Sequence, residues 1–104
     1  MKPALVRLEA LLASNGESAV LRFSLGHAYL DTAPAQAVEH LRRAVALDPD
    51  YSAAWKLLGR ALSASGAEPE AVMVYRTGIE VAERRGDIQA AKEMRVFLKR
   101  LERG

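Results

Sequence analysis

With 104 residues, 50% of them hydrophobic, the chain has room for one domain with a continuous but thin core, and a second domain does not fit. A charged fraction of 27% and a formal net charge of +2 are ordinary for a soluble protein and name no partner. Without cysteine there is no disulfide framework, no thiolate metal ligand and no cysteine nucleophile.

The chain opens MKPALVRLEALLAS, where Arg7 and Glu9 interrupt the apolar stretch an export signal would need. No run approaches the roughly 18 apolar residues of a membrane span, so a soluble, cytoplasmic protein is expected, with no membrane partner. Apolar residues then recur three and four apart, as on one face of a helix: Leu25, Ala28 and Tyr29, later Trp55, Leu58 and Leu62. No segment alternates like a strand. Breaks fall at Asn15-Gly16, Thr32-Ala33-Pro34, Asp48-Pro49-Asp50, Ser65-Gly66 and Arg85-Gly86-Asp87. They predict six helices, near residues 3–14, 18–31, 34–47, 51–64, 68–84 and 87–102. Pro34 and Pro69 suit the first turn of a helix, and Asp50 and Asp87 are expected to cap the helices that follow them. The last segment is the basic one: from Arg84 to Gly104 there are seven cationic and three anionic side chains.

Compared with itself, the chain repeats. Leu25, Gly26 and Tyr29 recur as Leu58, Gly59 and Leu62, and with one residue more between copies Ala37, Leu41 and Ala44 recur as Ala71, Tyr75 and Gly78. Upstream, Ala4, Leu8, Leu11 and Gly16 stand one such step before Ala37, Leu41, Ala44 and Pro49, so the chain opens with half a repeat. The stretch Trp55-x-x-Leu58-Gly59-x-x-Leu62, followed by Ala71-x-x-x-Tyr75 and Gly78, resembles a tetratricopeptide (TPR) repeat. The earlier copy has Arg22 where the Trp would stand, and the later one has Glu83 where Pro is expected, which predicts that the helix starting near Glu68 overruns. The resemblance implies an all-α fold, a right-handed TPR-like solenoid of about six antiparallel helices. It divides residues 1–104 into a half repeat (1–17), two repeats (18–50 and 51–84) and a capping helix (85–104). The small residues are then read as places where helices approach closely, and Trp55, Tyr29, Tyr75 and the leucines as filling.

Catalytic signatures are missing. His27 and His40 stand on successive predicted helices without an HExxH spacing, and no GxGxxG, P-loop or GxSxG motif occurs. Glu68 and Glu70 flank Pro69 at a helix start, where the helix dipole favours negative charge. No enzyme activity, cofactor or metal is expected. The TPR resemblance implies instead a protein–protein interaction scaffold whose first helices line a concave groove. In that groove it places Phe23, His27 and Leu30 from the first copy and Lys56, Arg60 and Ser63 from the second, with Asp31 at the edge. On the last helix Ala90, Ala91, Met94, Phe97, Leu98 and Leu101 share one face, leaving Ile88, Lys92, Arg95 and Lys99 to face outward or into the groove. The partner expected is another protein or peptide, with an acidic segment as the sharper reading, held by a monomer. A basic last helix that binds nucleic acid without sequence preference, or a homo-oligomeric module, are the alternatives. Lysine and asparagine clamp positions of chaperone-binding TPR domains are Phe23, His27 and Leu57 here, which speaks against that ligand.

Overall fold

The computed structural model describes residues 3–104; Met1 and Lys2, with which the expected half repeat begins, lie outside the described residues. Six helices follow in order: α1 (Pro3–Asn15), α2 (Ala19–Tyr29), α3 (Pro34–Leu47), α4 (Ser52–Ala64), α5 (Glu68–Arg85) and α6 (Ile88–Glu102). No strand occurs among the described residues, so the all-α helical repeat fold expected from the spacing is the fold observed. Among the described residues no helix is long and apolar enough to cross a membrane.

Local chemistry sets the helix ends. Pro34 and Pro69 both sit in a first turn, where the missing N–H is no loss. Ser18 caps α2, its side chain accepting from the Leu21 N–H at 3.1 Å. Asp87 caps α6 as expected, accepting from the Ala90 N–H at 3.2 Å. Asp50 does not cap α4, contrary to expectation. Tyr51 occupies that position without a side-chain hydrogen bond, and Asp50 is turned instead to Arg84, 2.8 Å away. Helix α5 overruns to Arg85, as Glu83 in place of proline predicts, and stops at Gly86 in the left-handed region at φ 76°.

Each helix packs on the next in the chain, and α2–α4 and α4–α6 also touch, whereas α1, α3 and α5 do not pack on one another and meet only through long side chains, Glu9 with His40 and Arg42 with Glu70. Helices α2, α4 and α6 therefore make an inner wall, and the other three splay behind it. Two glycines let the pairs close. A Cβ at Gly26 would lie 2.6 Å from Leu41 Cδ2, and one at Gly59 would lie 2.6 Å from Tyr75 Cζ, so only glycine fits without displacement. Gly78 is confined in the same way, by Met94 and Trp55. The largest fully buried side chains are Tyr75, Leu25, Leu41, Leu62 and Met94. Each large aliphatic side chain buried this way contributes about 1.5–3 kcal/mol.

Candidate partner-binding cleft

The inner wall ends in a cleft. Leu30 and Asp31 close α2, Ser63 and Ala64 close α4, and Arg100 and Leu101 lie in the last turn of α6; all six line one cleft of about 550 Å³. Its apolar lining is completed by Pro34 and by Phe97, whose ring lies 5.8 Å from that of Tyr75. Tyr75 reaches the cleft from α5 behind. It is 2% exposed, and its hydroxyl makes no hydrogen bond to any described residue. Burial pushes its pKa to about 12, with the nearby Arg60 charge pulling slightly the other way. The charged lining is Asp31, Arg60 and Arg100, all exposed. Neither arginine makes an ion pair with a described residue.

Of the nine residues expected in the groove, Leu30, Arg60 and Ser63 line this cleft and the other six do not. Phe23 is half-buried and stacks on Tyr51 at 5.0 Å between ring centroids. His27 is exposed beside it, at 6.4 Å. Lys56 turns to Glu93 of α6 at 2.7 Å and lowers that carboxyl's pKa. Arg95 pairs with Glu83 on α5, behind the inner wall. Ile88 and Lys92 are exposed at the start of α6, away from the cleft. Of the cations expected on α6, Arg95 is engaged behind the wall and Lys92 lies away from the cleft, and the cation that α6 brings to the cleft is Arg100, which the sequence reading missed. A signal for it was present. Asp31 and Ala64 hold the same place in successive copies, and Arg100 stands as far from Ile88, the start of α6, as Ala64 stands from Ser52, the start of α4. The three share one place in the repeat.

A second polar cluster binds α1 to the first copy. Arg22 donates to His40 Nδ1 at 2.9 Å, His40 stacks on Tyr29 at 5.5 Å, and the Tyr29 hydroxyl donates to Glu9 of α1 at 2.9 Å. Burial and the Arg22 charge lower the His40 pKa. With Nδ1 accepting, neutral His40 has its proton on Nε2, 3.9 Å from Glu9. Every polar group here has a partner, so the cluster is structural.

Residues 31–94 match the sequence model of the tetratricopeptide repeat family, which covers more than half of the chain. The chain belongs to the tetratricopeptide repeat family. Similar proteins agree with that membership. A TPR repeat-containing protein of Pseudomonas aeruginosa is 50% identical over 97 residues, spanning 92% of each chain. The solution structure of a protein from Bordetella parapertussis is 42% identical, with a TM-score of 0.85 over 99% of this chain and 90% of that one. TPR repeat proteins are generally non-enzymatic scaffolds for protein partners, and the TPR inner wall is here the surface that ends in the cleft.

Proposed function

We propose that this TPR protein is a scaffold that holds a segment of another protein in the cleft at the ends of α2, α4 and α6, and that Arg60 and Arg100 draw it toward acidic segments. The observation behind this reading is the division of cations. Lys56 and Arg95 already have carboxylate partners, while Arg60 and Arg100 stand unpaired at the rim of an apolar cleft. An apolar recess of several hundred Å³ with a few convergent polar groups is the usual form of a binding site. The units at 1–17, 18–50, 51–84 and 85–104 act in this reading as one domain.

Site-specific crosslinking tests it. A photoreactive residue at Ser63, on the cleft, is expected to capture protein partners in nuclease-treated lysate, whereas the same residue at Ala46, exposed on α3, captures none. Charge reversal of Arg60 and Arg100 together should abolish the capture without changing melting, since exposed charges contribute about 0–1 kcal/mol to stability. Reversal of Lys92 and Lys99 should leave it intact. Equal capture at both positions, or capture lost only with the Lys92 and Lys99 reversal, would overturn the cleft reading.

A further inference from the structure

We infer that the cleft reads one carboxylate side chain, an Asp or Glu flanked by apolar residues in the partner segment, and that the Tyr75 hydroxyl is its specificity-determining donor. The inference rests on the cleft reading and deepens it. Tyr75 is the second copy's counterpart of Leu41, and both side chains fill the notch over a glycine, Gly59 in one case and Gly26 in the other. Packing there needs only the ring, which also lies against Phe97. The hydroxyl is therefore surplus to the fold. It belongs to a side chain that is 2% exposed, lines the cleft and bonds to no described residue. Every fully enclosed side-chain polar atom among the described residues has a partner, so the unpartnered Tyr75 hydroxyl is one that solvent reaches at the cleft its residue lines, where the acceptor of an occupant can replace water.

The surroundings say which. With its pKa pushed up by burial, the phenol keeps its proton at neutral pH and donates. Arg60 and Arg100 on the same cleft can only donate. Leu30, Phe97 and Leu101 exclude a purely polar occupant. Converging donors over an apolar lining fit an anionic acceptor with apolar neighbours, and charge counting selects its size. Asp31 lines the same cleft, so the three charged side chains sum to about one positive charge. One carboxylate neutralises it. A phosphate, at about −1.5 to −2, overshoots, as does a run of acidic residues.

Fluorescence polarisation with the full chain and amidated, acetylated peptide pools tests this. Each pool has random apolar and small neutral residues around one fixed central position, which is Glu, Gln or phosphoserine; a further Gln pool ends in a free C-terminal carboxylate. The Glu pool is expected to bind roughly tenfold or more tighter than the amidated Gln pool, the range of a charge-assisted hydrogen bond. Tyr75→Phe should remove most of that difference, leaving the Gln pool and the melting temperature unchanged. Equal binding of the Glu and Gln pools, an equal loss of both in Tyr75→Phe, or Glu-pool binding that survives Tyr75→Phe would each overturn the inference. So would preference for phosphoserine or for the free terminus. If no pool binds while Ser63 still captures partners, the cleft reading stands and the carboxylate inference falls.

Discussion

The two copies marked by the recurring sequence pattern solve one packing problem with opposite chemistry. Where the second copy has Trp55 and the buried Val74, the first has Arg22 and His40 at the matching positions, joined by a hydrogen bond of 2.9 Å. Arginine at the tryptophan position looks like a fault in the repeat when read alone. It is tolerated because the matching residue on the next helix is a histidine able to accept from it, and because Glu17, 2.9 Å from Arg22, takes a further share of the charge. The first copy spends its polar groups internally and ties them to α1 through Glu9. The second copy keeps an apolar interior and leaves its one surplus polar group, the Tyr75 hydroxyl, facing the cleft. Copies that are equivalent as architecture thus differ in what their polar groups do: those of the first fasten the end of the solenoid, while the cleft is shared by Leu30, Asp31 and Pro34 of the first copy, the second copy and α6.

That comparison can be broken most severely at the glycines. Gly59→Leu should destabilise by about 1–3 kcal/mol, because the added bulk meets a Tyr75 ring confined by Phe97. For a domain of this size, each kcal/mol corresponds to roughly 4–8 °C of melting temperature. Gly26→Leu should cost less within the same range, since Leu41 is the more adaptable neighbour. An unchanged melting temperature for either would show that the two copies do not share a register. The turn aspartates give a smaller contrast. Asp87→Ala should cost about 1 kcal/mol, losing the cap of α6 and the acceptor for buried Ser52, whose hydroxyl donates to it at 2.6 Å. Asp50→Ala, which removes no cap, should stay within about 0.5 kcal/mol. Equal losses in denaturant melts would contradict the cap assignment.

The smallest effect is confined to the first copy. His40 has a lowered folded-state pKa, so on acidification the unfolded chain takes up its proton first. Stability should therefore fall as pH drops below about 6.5 and level off below the folded value. Glu17 is held at about 2 by hydrogen bonds from Arg43 and Arg22, and Glu70, Asp87 and Glu93 are also lowered, so their losses begin only as the pH falls into the ordinary carboxylate range, where the unfolded chain takes up protons first. Thermal melts at about pH 7 and pH 5.5 isolate the histidine. The decrease should shrink in His40→Gln, and an identical decrease in that variant would place the pH response outside the cluster.

Much of this was legible in the residues themselves. The turns at Asn15-Gly16, Ser65-Gly66 and Arg85-Gly86, the prolines in first turns and the three- and four-residue apolar spacing are consequences of local backbone chemistry, so they gave six helices in nearly the observed places. The small residues were legible too, because a glycine recurring at a fixed spacing inside a helix has few reasons to be there other than close packing. Asp50 was misread because a capping residue is recognised by its neighbours in sequence, and the turn advanced by one residue to Tyr51 while Arg84, at the far end of α5, took the carboxylate.

Spacing by itself determined the six helices and the recurrence of small and apolar residues, and the family resemblance that those residues carry implied the inner wall on which a partner surface would lie. Which charges that surface keeps was decided only in three dimensions. Long cationic side chains obey no period and take whichever carboxylate the packed helices bring within reach, so Lys56 goes to Glu93 and Arg95 to Glu83. Arg60 and Arg100 are left at the cleft, and Tyr75, a filling residue by its spacing, also lines it, which is where the polar role we infer for its hydroxyl comes from.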